Sequence, residues 1–176
     1  MDLNNRKYIS YDDAQNQKYF EHNYLGTDSI DKTKRTSIKN TIGIALQEGF
    51  NKWAKAGLTA FLSYEYRNFA LTDTTNIPGQ RIINNYKESS LSIGGELSKK
   101  QGKLLHYNIL GELAIAGEDA GQFSVEGRGD LNLRLFGDTV RLDVNAFIKN
   151  QNPVFYFRHF QSKHYWWDNN DLSKIM

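Results

Sequence analysis

The stretch FSVEGRGDLNLRL, Phe123–Leu135, alternates between two kinds of residue along its whole length. Its odd-numbered positions hold phenylalanine, valine, leucine or glycine, and its even-numbered positions hold serine, asparagine or a charged residue. Successive side chains of a β-strand point to opposite faces of its sheet, whereas a helix face repeats about every 3.6 residues. The stretch therefore predicts a β-strand with one apolar face and one charged face.

Five further segments show the same period of two on either side of this strand. They are residues 36–47, 53–67, 87–98, 104–116 and 139–150. Three apolar residues, Phe61, Leu110 and Phe147, fall on the charged face and break the alternation. Short glycine-containing turns separate most of the segments, and a longer loop is predicted over residues 68–86. The pattern predicts an all-β, antiparallel, up-and-down meander.

The predicted organisation has three parts. Residues 1–35 are polar and form an N-terminal segment or loop with room for one short strand. Residues 36–150 form the six-stranded meander, and residues 151–176 form an aromatic loop followed by the start of a further strand.

Composition excludes several classes of protein. The 176 residues include 22 lysines and arginines against 20 aspartates and glutamates, for a formal net charge of +2, so no nucleic-acid partner is expected. No apolar run approaches the roughly 18 residues of a transmembrane helix. The chain contains 0 cysteines, which rules out a disulfide framework and a thiolate metal site. No cofactor is predicted.

Two environments would satisfy strands of this kind. In a soluble β-sandwich or β-barrel binding module, the apolar face would be buried inside the protein. In an outer-membrane β-barrel the apolar face would meet lipid and the charged face would line a watery lumen. Strand length, aromatic residues at strand ends such as Tyr64 and Tyr66, and charges of both signs at mid-strand favour the barrel. A barrel enzyme that acts on lipid is a further alternative, although no nucleophile motif occurs, and an enzyme is not expected.

The barrel interpretation assigns one set of side chains to the lumen. These residues share the charged face of the predicted strands. They are Lys39, Lys55, Glu65, Arg67, Glu88, Glu96, His106, Glu112, Glu126, Arg128, Asp130, Arg134, Arg141, Asp143 and Lys149. The two signs of charge nearly cancel within the set, which predicts weak ion selectivity.

Two stretches resemble a known protein family. They are residues 48–58, EGFNKWAKAGL, and residues 155–169, FYFRHFQSKHYWWDN. Both are similar to the putative outer-membrane porin family of Bacteroidetes, and the resemblance extends loosely over the whole chain. It implies a large β-barrel in the outer membrane that passes small solutes by diffusion, with membrane lipid as its surroundings and without catalytic residues. Family members are longer and begin with a signal peptide, so the resemblance also implies that this chain is a fragment.

The aromatic segment near the C-terminus is the most unusual stretch of the sequence. It is expected to form a loop that either folds into the lumen as a constriction or contacts lipopolysaccharide or sugar. Its candidate contact residues are Phe155, Tyr156, Arg158, His159, His164, Tyr165, Trp166 and Trp167. His159, His164 and Asp168 would bind a metal only if a bend brought all three together, so no metal site is predicted.

Overall fold

A computed structural model describes residues 2–9, 23–25, 30–50, 55–74, 81–135, 137–169 and 172. Almost all of its regular structure is β-strand, which confirms the predicted all-β fold. The strands are β1 (Asp2–Ile9), β2 (Ile30–Leu46), β3 (Gly57–Thr74), β4 (Arg81–Lys99), β5 (Leu105–Gly117), β6 (Phe123–Leu135), β7 (Asp138–Asn150), β8 (His159–Gln161) and β9 (Trp166–Asp168). One short helix, α1, spans Phe155–Arg158.

The first seven strands form one sheet in the order β1-β2-β3-β4-β5-β6-β7. The pairs β1–β2, β4–β5, β5–β6 and β6–β7 are antiparallel, and sequence neighbours are also neighbours in the sheet. This is the up-and-down meander that the alternation predicts. Strands β8 and β9 pair separately as a small antiparallel hairpin.

The strands extend further than the alternation predicts. Most of the predicted loop 68–86 is strand, because β3 continues to Thr74 and β4 begins at Arg81. The polar start of the chain likewise contains all of β1 and the first residues of β2. Both predicted bounds of the loop were wrong. At its start, Phe69 and Leu71 place apolar side chains on the otherwise charged face, so the alternation does not reveal that β3 continues. The predicted strand start at Trp53 and most of the further strand expected near residue 172 lie outside the described residues.

The chain divides into two compact units. Unit 1 comprises residues 1–39, 66–88 and 152–173, and unit 2 comprises residues 40–65, 89–151 and 174–176. Unit 1 contains a small hydrophobic core in which Phe69, Leu71 and Phe155 are buried and Tyr86 and Tyr156 pack against them.

In unit 2 the apolar face of the strands is uncovered. Ile42 is 73% exposed and Ile44 is 75% exposed on β2, and Leu142, Val144 and Ile148 on β7 are all more than half exposed. On β5 and β6, Ile109, Leu113 and Val125 are exposed as well. Apolar side chains of this size are expected to be covered by some apolar environment, since exposing so many to water would be unfavourable.

Phe61, one of the exceptions to the alternation, has a specific place on the charged face. A Cβ atom added to Gly94 would lie 2.2 Å from Cζ of Phe61, and one added to Gly43 would lie 3.2 Å from Cβ of Phe61. The ring therefore lies directly over the backbone of Gly94, with Gly43 beside its Cβ atom. Gly94 thus makes room for the ring and Gly43 for the Cβ atom, so the charged face accommodates an apolar residue at this position.

Candidate functional site

The charged side chains of β5, β6 and β7 form rows across the sheet in unit 2. In one row His106 lies opposite Asp130, and Asp130 lies opposite Asp143. In the next row Asn108 lies opposite Arg128, which lies opposite Asn145. Because directly opposite residues share a face, the register places these groups together on one side of the sheet.

The row that contains His106 forms a connected ionic cluster. Nδ1 of His106 lies 2.8 Å from a carboxylate oxygen of Asp130, and Nε2 lies 2.9 Å from the carbonyl oxygen of Gly102. Arg141 reaches Asp143 at 3.0 Å and the other oxygen of Asp130 at 3.9 Å. Arg141 therefore balances part of the negative charge that Asp130 and Asp143 bring to the row.

Two further contacts lie on the same face. Nζ of Lys149 lies 2.6 Å from a carboxylate oxygen of Glu126, and the side-chain amide of Asn108 donates a hydrogen bond to Glu96. Between these groups the face has two open depressions of about 310 Å³ and 320 Å³. Arg128 and Asn145 line both of them. The sequence did not single out Asn108 or Asn145; only the strand register indicates that they lie beside Arg128.

The other predicted lumen residues of unit 2 have different surroundings. Glu112 lies opposite Gly94 and Ser124, and Arg134 lies opposite Thr139 near the end of β6. Glu65 is on β3, and the exposed Lys55 precedes that strand.

In unit 1, Glu88 joins two arginines. One of its carboxylate oxygens lies 3.2 Å from Nη2 of Arg67, and the other lies 2.5 Å from Nη2 of Arg158. The Glu88 side chain is only 8% exposed, and the two guanidinium groups replace the water that burial removes from around it. Two predicted lumen residues, Arg67 and Glu88, and one predicted loop residue, Arg158, thus form a single ionic group. Lys39, also in unit 1, is an exposed residue of β2.

Residues 153–169, which we call the aromatic segment, are built around stacked rings. Phe155 stacks on Phe69 with ring centroids 4.0 Å apart, and Phe160 stacks on Trp167 at 4.7 Å. Nε1 of Trp167 donates a hydrogen bond to the carbonyl oxygen of Tyr156 at 3.0 Å. Burial raises the pKa of the Tyr156 phenol above its ordinary value, so the ring is neutral at physiological pH. The segment is therefore a folded element with its own aromatic interior.

The predicted contact residues of this segment have separate roles. Phe155 is buried, whereas Tyr165 is 56% exposed and Trp166 is 52% exposed. Nδ1 of His159 lies 2.9 Å from Asp168, and its ring stacks on Tyr86. His164 is half-buried in the turn between β8 and β9. In the part of the chain that the structure describes, no group of three histidines or carboxylates could hold a metal ion.

Comparison with known proteins adds one finding. A family model described as a putative porin matches residues 1–176. Neither a curated protein nor a solved structure matches the chain. Within the described residues, no helix is long and apolar enough to span a membrane.

Proposed function

Because the chain belongs to the putative porin family, we propose that it forms part of the wall of an outer-membrane β-barrel through which small solutes diffuse. Its surroundings would be outer-membrane lipid on one side and an aqueous lumen on the other. No nucleic acid and no cofactor take part in this proposal.

The observation that carries the proposal is the difference between the two faces of the sheet in unit 2. One face exposes large aliphatic side chains such as Ile42, Leu142 and Val144. The other face carries the ionic cluster of His106, Asp130 and Arg141. Lipid would satisfy the first face, and water together with cross-strand ion pairs would satisfy the second.

A soluble β-sandwich fits this arrangement less well. Such a protein would cover the apolar face with a second sheet about 10 Å away. Among the described residues, the only other sheet has two short strands, β8 and β9, and it belongs to unit 1. A membrane therefore accounts better for the exposed aliphatic residues.

The proposal assigns no catalytic step to the chain. His106, the one histidine of unit 2, lies beside a carboxylate, but both of its ring nitrogens are engaged. One contacts Asp130 and the other contacts the carbonyl oxygen of Gly102. Since a carbonyl oxygen only accepts hydrogen bonds, Nε2 carries a proton there and is not available as a general base. The contacts of His106 instead suit a structural role in the wall.

Electrical recording from a planar bilayer tests the proposal. The protein, purified at its natural full length, should produce stepwise increases in current. Besides His106, seven lysines and arginines and seven aspartates and glutamates occur among the predicted lumen residues. We therefore expect the cation-to-anion permeability ratio, measured in a salt gradient, to lie within about threefold of one. The control is detergent without protein, and a current no greater than this background would contradict the proposed function.

A further inference from the structure

Arg128 is an exposed basic residue near the middle of β6, on the charged face of unit 2. The register places Asn108 of β5 on one side of it and Asn145 of β7 on the other. Residues directly opposite each other on neighbouring strands form the cross-strand pairs of a sheet face. Because both neighbours are neutral amides, cross-strand pairing brings no carboxylate to the guanidinium group of Arg128.

The carboxylates on either side of Arg128 along β6 have other partners. Glu126 pairs with Lys149 at 2.6 Å, and Asp130 contacts His106 at 2.8 Å. Within the part of the chain that the structure describes, the Arg128 side chain makes neither an ion pair nor a hydrogen bond. A guanidinium group carries five N–H donors in a fixed planar arrangement. Those of Arg128 therefore remain available to an acceptor from solution.

An aromatic ring lies in the same open depression as Arg128, the one of about 320 Å³. Phe147, which is 74% exposed, lines this depression together with Asn145. Nζ of Lys149 lies 5.9 Å from the centroid of the Phe147 ring. Among the described residues, the side-chain amide of Asn145 has no hydrogen-bond partner. The depression thus offers a guanidinium group, an amide and an apolar surface to one small molecule.

The charge of this depression favours an anion. Its charged side chains are two cations, Arg128 and Lys149, and one carboxylate, Glu126. Since Glu126 and Lys149 neutralise each other, one positive charge remains. A carboxylate can accept two parallel hydrogen bonds from an arginine, and an amide N–H can donate a further one. The exposed ring would contact an apolar group attached to that carboxylate.

We propose that Arg128, Asn145 and Phe147 form a binding site for small organic acids. The carboxylate of the acid contacts Arg128 and Asn145, and its apolar part contacts the ring of Phe147. That organic acids reach this site through a pore rests on the proposed function, whereas their binding does not require a closed pore. The charges of the predicted lumen residues nearly cancel as a whole, so this is a local site and not a general preference for anions.

Benzoate is a suitable probe, because it joins a carboxylate to an aromatic ring, and benzamide is its neutral counterpart of similar shape. Saturation-transfer NMR on the full-length protein in detergent, with detergent alone as the blank, measures the dissociation constant of each compound. We expect benzoate to bind about fivefold or more tightly than benzamide, since only the carboxylate forms charge-assisted hydrogen bonds with Arg128. Equal affinities for the two compounds would contradict the proposal.

Arg128→Gln removes the positive charge and should weaken benzoate binding by about fivefold or more. The matched control is Arg134→Gln, which removes the same charge from an exposed residue of the same strand and the same parity. Arg134 lies six residues from Arg128, or roughly 20 Å along the strand. The control should leave benzoate binding within about twofold of the wild type. Equal losses in both variants would mean a diffuse attraction to positive charge, and the site would be refuted.

Phe147→Ala separates the contribution of the ring from that of the carboxylate contact. It should weaken benzoate binding by about threefold or more, because the aromatic part of the probe loses its apolar surface. Acetate has no ring, so its affinity should be the same for Phe147→Ala and for the wild type. Unchanged benzoate affinity in this variant would show that the ring is not part of the site, contrary to the proposal.

The site and the pore have separate readouts. In a planar bilayer, benzoate near its dissociation constant should lower the current through the wild type and not through Arg128→Gln. A protein that binds benzoate through Arg128 but carries no current supports the site and contradicts the proposed function. A protein that conducts but does not distinguish benzoate from benzamide contradicts the site and leaves the proposed function intact.

Discussion

Replacement of Ala146 by arginine should destabilise the folded protein in phospholipid vesicles by about 2–4 kcal/mol, the cost of an arginine on the lipid face near the centre of the bilayer. Ala146 is an exposed residue near the middle of β7 and lies opposite Gly127 on the apolar face. In the barrel its side chain would meet lipid hydrocarbon, which cannot hydrate a guanidinium group. Equilibrium unfolding in denaturant from vesicles, followed by tryptophan fluorescence, measures the change.

The matched control is Phe147→Arg, the neighbouring residue on the opposite face. Phe147 is 74% exposed and lies opposite Glu126, so an arginine there would face water and a nearby carboxylate. We expect this variant to stay within about 0.5 kcal/mol of the wild type, as surface substitutions usually do. If the apolar face met water instead of lipid, both positions would be hydrated and both changes would be mild. Equal stabilities of the two variants would therefore contradict a lipid-facing apolar surface.

The fold could be predicted from the sequence because the signal is local. Each strand of the meander is two-faced, so a window of about a dozen residues is enough to reveal its period. Among the described residues of unit 2 no hydrophobic core competes for these side chains, and the exposed Ile42, Val144 and Val125 follow the predicted parity. The family interpretation, drawn from residues 48–58 and 155–169, is also confirmed by the match to the putative porin family.

The sequence could not reveal the features that depend on contacts between residues far apart in the chain. In the sequence, Phe69 and Leu71 look like a break in the strand. The structure explains their apolar character, because Phe155 packs on Phe69 and is buried with both of them. The pairing of His106 with Asp130 likewise follows from the register of β5 and β6. The lumen assignment of the charged face as a whole stays a prediction, because it depends on what surrounds the sheet.

A β-bulge at the end of β5 is another feature that alternation conceals. Leu91 lies opposite Ala116 and Ser92 lies opposite Ala114, so Ile115 has no direct partner on β4. A bulge of this kind strengthens the local twist and changes which residues share a face. Ala116 consequently lies opposite Leu91 of the apolar face, although the alternation along β5 places it on the charged face.

Gly117, which follows this bulge, should be the least replaceable glycine among those that the structure describes in unit 2. Its φ angle is +89°, and an added Cβ atom would lie 1.9 Å from the carbonyl oxygen of Ser89. That oxygen also accepts the backbone N–H of Glu118 at 2.9 Å, so it cannot move away without losing a hydrogen bond. Gly117→Ala should therefore cost about 3 kcal/mol or more, from backbone strain and overpacking together.

Gly111→Ala, on the same strand, is the control that separates a general effect of glycine replacement from this specific one. Nothing lies within 4 Å of a Cβ atom added to Gly111, which faces the apolar side opposite Gly95 and Val125. Alanine there should be neutral or should stabilise by up to about 1 kcal/mol, because it reduces the freedom of the unfolded chain without a clash. Denaturant midpoints at equal slope give both values. If the two variants lost similar stability, the carbonyl of Ser89 would not be the obstacle, and the turn after β5 would owe its shape to something other than the absence of a side chain at Gly117.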